Sequence, residues 1–228
     1  MKFIVIEGLD GSGKSTQIQL VENYLKQKSI KSKFLHFPRP GAPFYGELIS
    51  KFLRGELGSI DKVDPYLVAL LYAGDRNDAS ELIKGWLNEG YAVIADRYLY
   101  SNVAFQCAKA EGQEQKEKLA KWIKELEYNY NKIPVPDLNL FLKVPYSFTQ
   151  KSLKTRRKGN DRDYLNGNDD IHEADLDFQK RVRDIYLWQV EENNDFEEID
   201  CGDKNGSMLS PEVIFESIKR KINDVLTF

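Results

Sequence analysis

Residues 8 to 16 read Gly-Leu-Asp-Gly-Ser-Gly-Lys-Ser-Thr, with Gly8, Gly13, Lys14 and Ser15 at the spacing G-x-x-x-x-G-K-[ST]. This spacing predicts a loop that holds a nucleotide's phosphates. Small residues such as Gly11 and Ser12 let backbone N–H groups converge on phosphate oxygens, and the helix that follows adds the positive end of its dipole. Lys14 would reach the outer phosphates and Ser15 would bind Mg²⁺. The whole run Gly8, Leu9, Asp10, Gly11, Ser12, Gly13, Lys14, Ser15 and Thr16 is therefore expected to bind a nucleoside triphosphate. A glycine-rich turn between strand and helix is the plainer alternative, and the flanking sequence argues against it.

A second constellation is Asp96-Arg97-Tyr98, which follows the apolar run Ala92-Val93-Ile94-Ala95. Ligands of open parallel sheets bind at the C-terminal ends of such strands. Asp96 fits an acid that helps hold Mg²⁺, and Arg97 a guanidinium forked onto a second phosphate group. Read alone, the pair fits a helix cap with a surface ion pair equally well.

These residues need a frame, and the pattern provides one. Strand signals at Lys2–Glu7, Ser32–Phe37, Ala92–Ala95, Leu138–Val144 and Glu197–Asp200 alternate with helical stretches near 14–28, 44–54, 65–89, 98–109, 114–129, 146–157, 173–192 and 211–225. That alternation predicts an α/β fold, a five-stranded parallel sheet flanked by helices, in a single domain over 1–228. The polar, glycine-punctuated stretch Lys158 to His172, beside Arg156, Arg157 and Arg162, is expected to form a mobile lid of about 154–173 over the phosphates.

Composition excludes several classes. A net charge of −3 gives no basic excess for a nucleic-acid backbone. No apolar run reaches membrane-spanning length, and the chain enters its first strand too early for a signal peptide. Cys107, Cys201, His36 and His172 lack metal-ligand spacing, which makes structural zinc unexpected. Both cysteines are expected to be reduced and the location cytoplasmic.

Further motifs fall in register with these. Phe37-Pro38-Arg39-Pro40-Gly41, Leu71-Tyr72-Ala73-Gly74-Asp75-Arg76, and Asp96-Arg97-Tyr98 through Ser101 to Ala104-Phe105-Gln106 resemble the signatures of thymidylate kinases in order and spacing. Pro136-Asp137-Leu138-Asn139-Leu140-Phe141-Leu142 matches that family's fourth core strand, and Phe178-Gln179 through Val182-Arg183 to Tyr186 its post-lid helix. The resemblance implies a phosphate-loop NTPase fold of the nucleoside-monophosphate-kinase type. It also implies a homodimer that transfers the γ-phosphate of ATP to dTMP, giving dTDP, with Mg²⁺ at Ser15 and Asp96. Carried over by position, Asp10 approaches the sugar 3′-hydroxyl, Arg39 and Arg97 hold the acceptor phosphate, and Tyr72 stacks on the base. Arg76 donates to thymine O4, and Phe105 crowds the sugar 2′ position. Phe37, Leu53, Ser101 and Tyr164 complete the expected substrate contacts. By residue type alone, Tyr72 and Phe105 are ordinary core aromatics and Arg76 a solvated ion pair; the register favours function. The helices holding Pro65–Tyr72 and Tyr98–Phe105 are expected to offer apolar faces to a second copy.

Thymidylate kinases place a transfer-stabilising arginine in the phosphate loop or in the lid. Position 11 is glycine here, so Arg156, Arg157 or Arg162 must supply it, with Arg157 and Arg162 favoured. The catalytic set implied is Asp10, Lys14, Arg97, Arg157 and Arg162. Four features depart from the family pattern: Arg39-Pro40-Gly41-Ala42-Pro43 lacks the usual glutamate, Lys143 replaces an acid, Ser152 stands for an arginine, and the lid carries an acidic insertion around Asp169, Asp170 and Glu173. A deoxynucleoside kinase is the nearest rival, but its hydroxyl acceptor requires a carboxylate base. An adenylate-kinase-like enzyme usually has glycine after the motif lysine, and a GTPase switch lacks its Asn-Lys-x-Asp motif here. Intact Lys14, Ser15, Asp96 and Arg97 argue against a non-catalytic relative.

Overall fold

Two of the strands are buried along their full length, which requires cover on both faces. These are β1 (Phe3–Glu7) and β3 (Ala92–Asp96). With β2 (Ser32–His36), β4 (Leu138–Lys143) and β5 (Phe196–Asp200) they form one parallel sheet in the order β2-β3-β1-β4-β5. The expected five-stranded architecture is present. The structure, a computed structural model, describes residues 2–154, 165 and 170–226.

Strand periodicity divides the core. Phe3, Val5, Val93, Ala95 and Phe141 point to one face, under α3 (Pro65–Asn88), α4 (Leu99–Cys107), α5 (Gln113–Lys124) and α8 (Leu176–Glu192). Ile4, Ile6, Ile94, Leu138 and Leu140 point to the other, under α1 (Lys14–Gln27) and α9 (Pro211–Val225). A small third cluster joins α2 (Tyr45–Leu53) to α3 through Ile49, Phe52, Leu53 and Val68.

The helices depart from expectation at three places. The stretch expected at 114–129 is α5 continued by a π-helix, Glu125–Tyr130. The stretch expected at 173–192 breaks at Asp175, whose carboxylate accepts from the Phe178 N–H and separates α7 (Ile171–Ala174) from α8. The apolar face expected on the Tyr98–Phe105 helix does not reach the surface: Tyr98, Leu99, Tyr100, Val103, Ala104 and Phe105 are all buried, because α3, α5 and α8 enclose α4. Helix α6 (Tyr146–Lys154) opens the lid segment. Arg156, Arg157, Arg162, Tyr164 and Asp169 lie outside the described residues.

The chain leaves β1 toward β2 on one side, and later leaves β3 toward β4 on the other. This reversal opens a crevice at the C-terminal ends of β1 and β3, where such sheets bind ligands. The phosphate loop and Asp96-Arg97 are the residues that follow those two strand ends.

Candidate active site

The loop after β1 turns through two left-handed glycines, Gly11 (φ +72°) and Gly13 (φ +85°), and Gly13 caps the N-terminus of α1. A Cβ on Gly11 would lie 2.5 Å from Ser152 Oγ, so the loop passes close beneath α6. Lys14 Nζ donates to the carbonyls of Gly8 (3.3 Å) and Leu9 (3.0 Å) and lies 3.9 Å from Asp96 Oδ1. Burial works against the Asp96 charge, but Lys14, His36 and Arg97 outweigh it and hold the carboxyl below its usual range. Asp96 Oδ1 is buried with no hydrogen-bond partner, and Ser15 and Asp96 both line the cleft. A hard divalent cation that takes few protein oxygens and keeps phosphate and water ligands fits this pair. Among the described residues no cluster of three or more His, Cys, Asp or Glu forms a self-sufficient metal site.

Arg97 follows β3 in a left-handed conformation (φ +68°) that few non-glycine residues adopt. Its N–H is fixed by the Ile6 carbonyl at 3.0 Å. The guanidinium donates to Asp10 Oδ1 (2.8 Å), Ser101 Oγ (3.1 Å) and Tyr186 Oη (3.3 Å), and lies 5.0 Å over the Phe105 ring. Burial disfavours this cation, yet Asp10 and the neighbouring acidic groups more than compensate and push its pKa up. Glu7 organises the group from behind: one carboxylate oxygen accepts from the N–H groups of Tyr98 and Ser101, the other from the hydroxyls of Ser101 and Tyr186.

The wall beyond Arg97 comes from three helices. Tyr72 and Arg76 on α3, Ser101, Asn102 and Phe105 on α4, and Leu53 at the end of α2 line the cleft together with Phe37. Arg76 is not the solvated ion pair its residue type suggests. It is buried against Glu127 of the π-helix, Nε to Oε2 at 2.5 Å and Nη2 to Oε1 at 2.8 Å, and these contacts overcome burial to raise its pKa. His172 stacks on Phe178 and packs against Phe52 edge-on and a tilted Phe105, and burial drives its pKa well below the ordinary value. Gln179 Nε2 donates both to Asp10 Oδ2 and to the His172 carbonyl, tying the phosphate loop to the end of the lid segment.

One cleft of about 830 Å³ thus joins Asp10 to Thr16, Asp96 and Arg97 with Phe37, Leu53, Tyr72, Arg76, Ser101 and Phe105. Gly8 and Leu9 lie behind it, as the carbonyls that receive Lys14. Arg39 is not on its lining. Its Nε donates to Asp75 Oδ1 (2.8 Å), and its Nη2 to the Asp75 carbonyl (2.9 Å) and Asp78 Oδ2 (2.6 Å), which makes it a brace between the β2–α2 loop and α3. Glu7, Asn102, Glu127, His172 and Gln179 are site residues that sequence reasoning missed. Two carried a readable signal: Asn102 is an amide within a helix of buried residues, and Glu127 continues the buried stripe of Leu119 and Ile123 at intervals of four.

A family model for thymidylate kinase matches residues 6–208, from the end of β1 to the approach of α9. The chain belongs to the thymidylate kinase family. Membership makes it a nucleoside monophosphate kinase, the family's reaction being phosphorylation of dTMP to dTDP. It is 34% identical over 227 residues to the thymidylate kinase of Caldicellulosiruptor saccharolyticus, covering 99% of this chain and 97% of that one. The thymidylate kinase of Mesoplasma florum is 31% identical over 222 residues, covering 96% and 94%. Among solved structures, the thymidylate kinase of Candida albicans superposes with a TM-score of 0.72 at 26% identity, over 98% of this chain and 91% of that one.

Proposed function

We propose that the protein transfers the γ-phosphoryl group of ATP to the phosphate of dTMP, giving dTDP and ADP, with Mg²⁺ as cofactor. The observation that carries this reading is the single cleft in which the phosphate loop meets both the Asp10–Arg97 pair and the Arg76–Asn102 wall. Lys14 and the loop N–H groups take the donor phosphates, and Arg97 takes the acceptor phosphate with Asp10 and Ser101 holding its guanidinium. Asp10 keeps its carboxylate near the sugar 3′-hydroxyl, Tyr72 stacks on the base, and Phe105 crowds the 2′ position. Arg39 acts one step back, bracing α3 through Asp75. A phosphate monoester has its second pKa near ~6, so the acceptor oxygen is already anionic and no general base is needed. Catalysis is then alignment and charge neutralisation. Ser15, with Asp96 nearby, would hold Mg²⁺, which would neutralise charge on the donor oxygens. With Gly11 tight against Ser152, an arginine for the moving phosphoryl group comes from Arg156, Arg157 or Arg162.

Two accompanying readings complete the proposal. Leu67 and Leu70 are 61% and 49% exposed on α3, which supports a homodimer through that helix. Cys107 and Cys201 are buried thiols, and no helix among the described residues is long and apolar enough to cross a membrane; both observations support a cytoplasmic enzyme.

The test is ADP release with ATP–Mg²⁺ and dTMP, dUMP, dCMP, AMP or thymidine as acceptor. Turnover is expected with dTMP and, more slowly, with dUMP, since a single methyl is worth only ~1–3 kcal/mol in discrimination. Turnover of thymidine but not dTMP would make the protein a nucleoside kinase.

A further inference from the structure

Arg76 and Asn102 line the cleft, and both are held from behind by one carboxylate that does not. Glu127 is fully buried on the π-helix. Its Oε1 accepts from Arg76 Nη2 at 2.8 Å and from Asn102 Nδ2 at 2.9 Å, while Oε2 accepts from Arg76 Nε at 2.5 Å. Asn102 Nδ2 also donates to the Ala69 carbonyl at 3.0 Å. An amide can be placed either way round, but these two partners are a carboxylate and a carbonyl, which only accept. The nitrogen must face them. Asn102 Oδ1 is left turned the other way, buried and without a hydrogen-bond partner. The guanidinium has likewise spent Nε and Nη2 on Glu127. The cleft wall therefore carries a donor from Arg76 beside an acceptor from Asn102.

We propose that Glu127 is the positioning residue that fixes this donor–acceptor polarity and so selects the base of the acceptor nucleotide. Thymine and uracil present a carbonyl acceptor, O4, beside the N3–H donor, which complements the wall. Cytosine presents an amino donor beside a bare ring nitrogen and meets the wall with both polarities reversed. A buried site whose polar groups are left unpaired by the wrong ligand discriminates far more strongly than a site that merely lacks a methyl. The proposal rests on the reading of the cleft as a dTMP site. It adds that selectivity resides in a residue that touches no nucleotide, and it gives the π-turn a purpose consistent with the frequent placement of such turns at functional sites.

The experiment measures kcat/KM for dTMP, dUMP and dCMP in the wild-type enzyme, Glu127→Gln and Glu127→Asp, with the KM for ATP as a control. Glutamine offers an NH₂ that can donate to Asn102 Oδ1, which allows the amide to turn over and show its nitrogen to the cleft. The dTMP:dCMP ratio is expected to fall at least tenfold in Glu127→Gln, while the KM for ATP stays within twofold. Aspartate keeps the charge that Arg76 needs in the core but is too short to serve both partners. Its ratio is expected to fall at least threefold, and it remains informative where the glutamine variant does not fold. A folded variant in which kcat/KM for both nucleotides drops in parallel and the ratio is kept would overturn the proposal, leaving Glu127 a structural residue. Wild-type enzyme inert toward dTMP would instead overturn the reading of the cleft.

Discussion

At the scale of single residues, charged partners decide which buried side chains carry charge into the cleft, since they outweigh burial at Asp96, Arg97 and Arg76. Asp10, Arg97 and Glu7 share one network of hydrogen bonds, and Arg97 and Arg76 both bring positive charge to the wall around Phe105. Lys109 lies just outside that wall, its Nζ 4.8 Å over the Phe52 ring and 2.8 Å from Gln106 Oε1. Burial lowers its pKa from the ordinary lysine value to about 7. Between pH 7 and about 10 the unfolded chain holds a proton that the folded chain has shed, so this group makes stability rise with pH across that window. Below pH 7 both states are protonated and the full cost of the half-buried ammonium remains. Lys109→Met is therefore expected to melt above wild type at pH 6.5, with the margin narrowing as pH approaches 10. Thermal melts of both proteins across that range check this, and a margin that widens with pH would contradict it. Motif spacing, not residue type, located Lys14, Asp96 and Arg97, by tying them to strand ends. It could not locate Gln179 or His172, whose roles depend on a contact 169 residues apart in sequence, from Gln179 to Asp10.

At the scale of elements, α3 shows how one short run serves several neighbours. Tyr72 faces the cleft, Gly74 seats the Tyr45 ring of α2, Asp75 receives Arg39, and Arg76 reaches the π-helix. The glycine is required by close approach: a Cβ at residue 74 would lie 2.1 Å from Tyr45 Cε1. Two effects compete in Gly74→Ala. Alanine gains ~1 kcal/mol in helix propensity, while overpacking a filled contact costs typically ~1–3 kcal/mol. With a ring rather than a flexible chain end in the way, overpacking wins. The variant is expected to melt several degrees lower and to show a raised KM for dTMP, because Tyr72 and Arg76 flank the displaced turn. A melting temperature above wild type would show that Tyr45 moves aside freely. Every strand was legible in the sequence, β1 and β3 from short apolar runs such as Phe3-Ile4-Val5-Ile6 and the others from their place in the alternation with helical stretches. The π-helix was not, because Glu125 to Tyr130 keeps helical composition and only the hydrogen-bond spacing changes. Nor was the burial of α4: apolarity shows that a face must be covered, but not whether another helix of the same chain covers it.

At the scale of the whole molecule, the strand order places the phosphate loop and Asp96-Arg97 side by side, and α2, α3 and α4 extend the same crevice away from the sheet. The donor and acceptor nucleotides are therefore expected to occupy one cleft from its two ends at once, meeting between Lys14 and Arg97. Linkage gives this a measurable form. A ligand at about 100 times its Kd stabilises the folded state by ~2.7 kcal/mol, and for a domain of this size each kcal/mol moves the melting temperature by ~2–4 °C. Saturating dTMP is thus expected to raise the melting temperature by about 5–10 °C, and ADP–Mg²⁺ to raise it separately. If the two nucleotides sit in distinct halves of the cleft, the dTMP shift persists when ADP–Mg²⁺ is already saturating. Arg97→Ala should lose most of the dTMP shift and keep the ADP shift, since the proposed function puts that guanidinium on the acceptor phosphate. A dTMP shift abolished by saturating ADP would mean that both nucleotides compete for the phosphate loop. In-line transfer within one cleft would then be untenable.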